Sequence, residues 1–180
     1  MQFARPAALS HLLRLIVVAA LLASGTAVAG IKSQRLLAAI FTHTPAPVIV
    51  TAGEQFKAAT LAAALIPGAD TLFGIGASME PLYQPKTALV IAPVDFKSLK
   101  KGMTVVYRAR RGHLVAHSLT GELPKGWIAQ GINNAEEDDD LVTSRNLVGV
   151  IVAAYAAGNT DFRLALTKEL VAKGRLAMAD

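Results

Sequence analysis

The chain has 180 residues, enough for one domain with a substantial core, and 53% of them are hydrophobic. It contains no cysteine, which excludes a disulfide framework and a thiolate metal site. The formal net charge is +5, and two of the positive charges, Arg5 and Arg14, lie in an N-terminal segment without acidic residues. The rest of the chain has only a small excess of positive charge, and it contains no basic helix and no basic residues interleaved with aromatic ones. We therefore expect no nucleic-acid partner.

Residues 1–29 have the pattern of an export signal. A short apolar run, Leu15–Ala23, is followed by the small residues Ala27-Val28-Ala29 just before Gly30. The alternative is an uncleaved membrane anchor that associates with the bilayer through residues 12–29. The apolar stretch is shorter than the ~20 residues that span a hydrocarbon core. We therefore favour a cleaved signal, and in either case a protein exported to the periplasm or the extracytoplasmic face of the membrane.

Residues 30–71 form an N-terminal extension for which the sequence indicates no function. Basic and apolar residues at helical spacing predict a short helix within 31–44, or an extension of the anchor, and two prolines end this stretch. Val48–Thr51 is β-branched and predicts a short strand. The alanine-rich stretch Glu54–Leu65 predicts a second helix before the next proline and glycine.

Residues 72–180 read as a β domain. Short apolar or alternating runs separated by glycine-containing turns predict its strands, and two of these runs flank a turn typical of a hairpin. The predicted strands are Thr87–Ala92, Met103–Arg108, His113–Leu119, Trp127–Gln130 and Leu147–Tyr155. Residues 133–140 predict a polar, acidic loop, and Asp161–Met178 predicts a closing helix with Asp161 as its cap. The fold class that follows is mostly β, with few helices.

The stretch Phe73–Tyr83 has the composition of a nucleophile turn. Gly74 and Gly76 precede Ser78, and glycine lets the backbone adopt tight or positive-φ geometry close to a bound chain. An exposed serine in such a turn is a candidate nucleophile, although an inert surface loop has the same appearance.

A serine hydroxyl is a weak nucleophile until a neighbouring base takes its proton. His117 is a candidate base on a predicted strand, because imidazole changes protonation near neutral pH. His113 lies four residues earlier, but the pair lacks the intervening glutamate and the third ligand of a zinc site. A serine–lysine pair is a further alternative, with Lys97, Lys100 or Lys101 as the base. We expect these lysines to face solvent.

Three ordered segments resemble the type I signal peptidases and the LexA-like serine peptidases. Gly76-Ala77-Ser78-Met79-Glu80-Pro81 is similar to their nucleophile box, and Phe96–Arg108 is similar to the strand that follows it. Val115–Leu119 and Gln130–Asp139 resemble the histidine segment and the Gly-Asp-Asn-Asn segment of the endoplasmic-reticulum and archaeal branch. The resemblance covers roughly residues 72–152.

The resemblance implies a signal-peptidase-like β fold and a serine endopeptidase that needs no cofactor or metal. Such an enzyme cuts an extended peptide or preprotein after small residues through an acyl-enzyme. It implies Ser78 as nucleophile, His117 as base and Asp138 as the acid that orients the base, with Glu137 and Asp139 as close alternatives. The residues that it places at the substrate or the oxyanion are Gly76, Ala77, Met79 and Pro81.

Three positions depart from the family pattern. Ile132 stands in place of the aspartate of the Gly-Asp-Asn-Asn segment, and Gly76 stands where a serine often helps to bind the oxyanion. Ser118 follows His117 in place of the usual arginine. These departures leave a second hypothesis open: a catalytically inactive periplasmic module that binds peptides with the same fold.

Overall fold

The computed structural model describes residues 30–31 and 33–158. The predicted signal or anchor, residues 1–29, and the predicted closing helix, Asp161–Met178, lie outside this part of the chain. Within the described part, no helix is long and apolar enough to cross a membrane.

The described chain contains two α-helices, seven β-strands and one short 3₁₀ helix. The helices are α1 (Gln34–His43) and α2 (Gln55–Ala63), and the 3₁₀ turn is Phe96–Ser98. The strands are β1 (Val48–Val50), β2 (Asp70–Phe73), β3 (Ala88–Ala92), β4 (Thr104–Arg108), β5 (Leu114–Leu123), β6 (Gly126–Gln130) and β7 (Leu147–Ala157). The prediction of a mostly β fold is confirmed.

All seven strands belong to one sheet in the order β2-β3-β7-β4-β5-β6, with β1 paired to β7. The neighbours along this order are antiparallel, whereas β1 runs parallel to β7. β7 is the longest strand and pairs with three others, so its apolar run lies at the centre of the sheet.

α1 lies on one side of the sheet. It begins after Ser33, whose hydroxyl accepts a hydrogen bond from the main-chain N–H of Leu36, as an N-cap does. Its apolar side buries Leu36, Leu37 and Ile40 in a cluster with residues of β3, β4 and β7. Met79, Leu82 and Tyr83 belong to the same cluster, so the chain after Ser78 is fixed by core packing.

α2 covers the opposite side of the sheet. Ala59 and Ala63 pack against Ala88 and Val90 of β3, where small side chains let the helix approach the strand closely. The two helices therefore hold β2 and β3 from opposite faces.

A third cluster, around Tyr107, Leu119 and Trp127, fills the space between β4, β5 and β6.

Most predicted elements are present with shifted ends. α1 and α2 confirm the two predicted helices, and β4 and β5 form the predicted hairpin around Gly112, whose φ of 87° suits glycine. β5 continues four residues beyond its predicted end, to Leu123. β2 was not predicted, although it leads directly into the nucleophile turn.

Candidate active site

The turn that carries Ser78 begins at the end of β2. The main-chain N–H of Gly74 donates to the carbonyl of Thr87 at 2.9 Å, and that of Lys86 donates to the carbonyl of Gly74 at 2.7 Å, which extends the pairing beyond Phe73. Ile75, Gly76 and Ala77 are then exposed, and Ser78 is half-buried at the start of a series of turns. Ser78 thus lies at the point where the exposed chain meets the core.

The freedom of glycine to adopt a positive φ is not used at Gly74 or Gly76. Neither Gly74 nor Gly76 has φ in the left-handed region, and a Cβ added at Gly76 would meet no atom within 4 Å. Gly76 is therefore required neither by backbone geometry nor by packing. Its effect is to leave open space beside Ser78.

Four residues of the box were expected at the substrate or the oxyanion. Gly76 and Ala77 are exposed beside Ser78, where a ligand can reach them. Met79 and Pro81 are buried beneath the turn, and the Met79 side chain is part of the core cluster around α1. Among the described residues, none accepts a hydrogen bond from the main-chain N–H of Ser78.

A second segment, Gly131-Ile132-Asn133, lies against the nucleophile turn. The main-chain N–H of Asn133 donates to the carbonyl of Ser78 at 2.8 Å, and its side-chain amide donates to the carbonyl of Ala77 at 3.3 Å. A Cβ at Gly131 would lie 2.7 Å from the Ser78 carbonyl oxygen, so only glycine allows this approach. Ile132 is fully buried in the core, where an apolar side chain is suited and an unpaired carboxylate would be costly.

His117 lies on β5, opposite Val105 of β4. Its ring Nε2 is 2.8 Å from Ser78 Oγ, although 39 residues separate the two in the chain. This distance is within the range of a hydrogen bond between a nucleophile and its general base. The structure therefore brings the predicted nucleophile and the predicted base together.

Asp138 holds the other ring nitrogen. His117 Nδ1 is 2.6 Å from Asp138 Oδ2 and 2.8 Å from Oδ1. The main-chain N–H of Asp138 donates to the carbonyl of Ala129 on β6, which fixes the position of the carboxylate in the acidic loop. Glu137 and Asp139 are exposed, and Glu137 Oε1 is 3.5 Å from the Thr120 hydroxyl. Of the three acids considered, Asp138 contacts the histidine.

The contacts determine the tautomer of His117. An ionised carboxylate only accepts hydrogen bonds, so Nδ1 carries the proton and donates it to Asp138. In the neutral ring Nε2 then accepts from the Ser78 hydroxyl. The side chains of His117 and Asp138 are only 9% and 14% exposed, so water competes weakly for these bonds. The arrangement is chemically able to remove the Ser78 proton and to stabilise the resulting imidazolium.

Tyr107 is a fourth member of the site that the sequence did not indicate. Its hydroxyl donates to Asp138 Oδ2 at 2.7 Å from β4, on the same face of the hairpin as His117. Burial, followed by the hydrogen bond to Asp138, raises the pKa of Tyr107 well above its ordinary value. The phenol therefore remains a neutral donor to the carboxylate at neutral and moderately alkaline pH.

The alternative bases lie elsewhere. Lys97, Lys100 and Lys101 are exposed in the connection between β3 and β4, as expected. His113 is exposed in the hairpin turn, before β5 begins. Within residues 30–31 and 33–158, no three His, Asp or Glu side chains form a group that could hold a metal ion.

No protein-family model matches the chain, and no curated protein matches it significantly. The geometry of Ser78, His117 and Asp138 is therefore the basis on which a function can be inferred.

Proposed function

We propose that this protein is an exported serine endopeptidase of the signal-peptidase type. The observation that carries the proposal is the continuous chain from Ser78 Oγ to His117 Nε2 at 2.8 Å and from His117 Nδ1 to Asp138 Oδ2 at 2.6 Å. A serine, a histidine and an aspartate linked in this order are the arrangement that serine peptidases on unrelated folds use. The sequence resemblance supports the signal-peptidase type and its preference for small residues.

The acylation step follows from these contacts. Ser78 Oγ attacks the carbonyl carbon of the scissile peptide bond while His117 Nε2 takes the hydroxyl proton. Asp138 stabilises the imidazolium. The main-chain N–H of Ser78 is free within the described residues and is available to the oxyanion of the tetrahedral intermediate. His117 then gives its proton to the departing amine as the C–N bond breaks, and an acyl-Ser78 ester remains.

Deacylation uses the same groups in reverse. Neutral His117 takes a proton from a water molecule, whose oxygen attacks the ester carbonyl. The second tetrahedral intermediate collapses, Ser78 Oγ leaves as the C–O bond breaks, and His117 returns the proton to it. The products are a new carboxyl terminus and a new amino terminus. The protein needs no cofactor in this scheme.

An extended peptide substrate suits the surroundings of Ser78. β2 ends the sheet, and the exposed residues 75–77 continue from it to the nucleophile. Extended chains add to such strand edges through main-chain hydrogen bonds. A preprotein cleaved outside the cytoplasm is the substrate class that the resemblance and the predicted signal at residues 1–29 support. Association with the membrane through residues 12–29 belongs to the same proposal.

A peptide-binding module without catalysis is the second candidate. Two observations favour it: Gly76 provides no oxyanion hydroxyl, and Ile132 provides no carboxylate at the family's aspartate position. Both hypotheses use the same strand edge, but only the peptidase requires a reactive Ser78.

A fluorophosphonate probe separates the two hypotheses. We expect it to label the wild-type protein and not Ser78→Ala, and we expect His117→Ala to slow labelling by at least about 100-fold, because general-base catalysis contributes about 10²–10⁴. Ser144→Ala, at an exposed serine in the turn before β7, is the matched control and should be labelled at the wild-type rate. A wild-type protein that binds peptides but neither reacts with the probe nor cuts them would favour the binding module.

A further inference from the structure

The edge of β2 leads to the nucleophile. Among the described residues, β2 pairs with β3 only, so its other edge has no strand beside it. The main-chain bonds of Gly74 to Lys86 and Thr87 keep the chain extended past the end of the strand. A peptide added along this edge would have its backbone guided toward Ser78.

The two faces of this edge differ. Successive side chains of an extended strand point to opposite sides. Leu72 is directed to the core cluster around α1, whereas Phe73 is paired with Ala88 and lies on the side covered by α2. Ile75 is two residues beyond Phe73. If the extended conformation holds to this point, its side chain is directed to the same side as that of Phe73.

Two exposed apolar side chains, Phe56 and Phe73, lie on that side, and the alternation of an extended chain directs a third, Ile75, toward it. Phe56, in the first turn of α2, stacks on Phe73 with a centroid separation of 5.1 Å and an interplanar angle of 29°. Phe56 is 42% exposed, Phe73 44% and Ile75 90%. We refer to Phe56, Phe73 and Ile75 as the apolar shelf. Ile75 lies three residues before the nucleophile, and a ligand that covers this apolar group together with the two rings gains free energy.

We propose that the apolar shelf is a specificity subsite for an apolar side chain of the extended peptide substrate. The inference rests on the proposed function and assigns a role to α2, which lies outside the sequence resemblance. Side chains of a peptide on the β2 edge alternate in direction, so every second residue near the scissile bond faces the shelf. The apolar side chain that it accepts is of leucine or phenylalanine size, since the exposed stacked rings of Phe56 and Phe73 offer an apolar surface of that extent.

The first test is a cleavage-site profile on a mixed peptide library. We expect wild-type cleavage sites to be enriched in Leu and Phe at one position a few residues from the cut. In Phe56→Ser and Ile75→Ser this enrichment should disappear. For a matched pair of peptides with Leu or Ser at that position, the kcat/KM ratio should fall about 10-fold in the variants, the usual scale for one apolar contact in a pocket.

Leu65→Ser is the matched control. Leu65 is 85% exposed just beyond the last turn of α2, nine residues from Phe56 and thus roughly 13 Å along the helix axis. The substitution removes an exposed apolar side chain from the same region and leaves the three residues of the apolar shelf unchanged. A shelf variant with the wild-type profile, or a Leu65→Ser protein that loses the preference equally, would refute the subsite.

A binding measurement separates this inference from the proposed function. The same peptide pair is titrated into Ser78→Ala protein with and without Ile75→Ser, and fluorescence anisotropy gives the two dissociation constants. We expect Ser78→Ala to prefer the Leu peptide about 10-fold, and the double variant to lose that preference. An unreactive wild-type protein with the preference intact overturns the peptidase and retains the shelf. A protein that reacts but shows no preference for the Leu peptide overturns the shelf and retains the peptidase.

Discussion

The hydroxyl of Tyr107 donates to the same carboxylate oxygen, Asp138 Oδ2, that lies 2.6 Å from His117 Nδ1. That oxygen therefore has two hydrogen-bond donors: the Tyr107 hydroxyl, which stays protonated, and the Nδ1–H group of the candidate base. A neutral donor withdraws negative charge from the carboxylate and fixes its orientation. Tyr107 is thus a positioning residue, which acts on His117 through Asp138.

Tyr107→Phe tests this role. Without the phenol, Asp138 keeps more negative charge for the imidazolium, so the acid limb of the kcat/KM profile should move to higher pH. We also expect kcat to fall about 10-fold, because Asp138 loses a donor that fixes its orientation and His117 is then held less well in the productive geometry. The measurement is kcat/KM against pH from 4 to 9 with one peptide substrate.

Tyr83→Phe is the control for that experiment. Tyr83 is also buried, and its hydroxyl donates to the carbonyl of Pro45 at 2.8 Å, with no bond to Asp138. It should lose stability and leave the pH profile in place. If Tyr107→Phe lowers activity with an unmoved acid limb, the phenol has only a structural role.

The sequence predicted part of the site. The order of the segments was sufficient to select Ser78 and His117, because each belongs to a recognisable local pattern. The sequence could not decide which of Glu137, Asp138 and Asp139 contacts His117, because a one-residue shift of the acidic loop would exchange them. Tyr107 had no local signal at all: its contact with Asp138 spans 31 residues and depends on the pairing of β4 with β5.

At the scale of elements, the segment Gly131-Ile132-Asn133 supports the nucleophile turn. It donates a main-chain hydrogen bond to the Ser78 carbonyl on one side and accepts one from Ile31 through the carbonyl of Ile132 at 3.1 Å on the other. The position of Ser78 relative to β5 is therefore determined by this segment as well as by the turn itself.

Gly131→Ala should displace the nucleophile. The added Cβ would lie 2.7 Å from the Ser78 carbonyl oxygen and 2.9 Å from the Asn134 side chain, and the former is backbone that can yield only if the turn moves. We expect probe labelling of Ser78 to slow at least about 10-fold, with a loss of about 1–3 kcal/mol in stability. Labelling rate and urea denaturation measure the two effects.

Gly121→Ala is the matched substitution on β5. Its Cβ would reach only the end of the Ile128 side chain, at 3.4 Å. The probe should label Ser78 of this variant at close to the wild-type rate. Equal labelling by both alanine variants would show that the 131–133 segment does not set the position of Ser78.

The sequence missed the strand β2 and the pairing of the predicted strand β1, because both depend on partners elsewhere in the chain. β2 has only four residues and no clear alternation of burial, and it becomes a strand because β3 pairs with it over Asp70–Phe73. β1 joins the sheet through a parallel pairing with the end of β7, more than one hundred residues later. By contrast, α1, α2 and the β4–β5 hairpin have local caps, periodicity or turns, and these were predicted.

At the scale of the whole molecule, residues 33–71 are integral to the folded body. Thr44, at the end of α1, hydrogen-bonds Thr104 of β4 at 2.8 Å, and Thr104 is 2.9 Å from Ser118 of β5, the neighbour of His117. Tyr83 ties the nucleophile turn to the chain just after α1 through Pro45. The stability of the N-terminal part and the geometry of the site are therefore coupled through buried hydroxyl groups.

Two buried tyrosine hydroxyls, those of Tyr83 and Tyr107, make stability sensitive to alkaline pH. Burial raises the pKa of Tyr83 and that of Tyr107 far above the ordinary value of a tyrosine, which is near ~10 in an unfolded chain. Below that pH both tyrosines are protonated in both states and contribute no pH dependence. Above it the unfolded chain releases their protons while the folded protein retains them, so the free energy of unfolding should fall as pH rises.

The expected slope is about 1.4 kcal/mol per pH unit for each tyrosine. Tyr83→Phe should be less stable than the wild type at pH 7 by about 1–3 kcal/mol, since the carbonyl of Pro45 loses its donor. Above pH 10 the variant has one fewer proton to release, so its stability should fall less steeply and the two curves should converge. Urea denaturation between pH 7 and 11.5 measures both curves. Parallel curves above pH 10 would mean that the folded protein ionises Tyr83 as readily as the unfolded chain does.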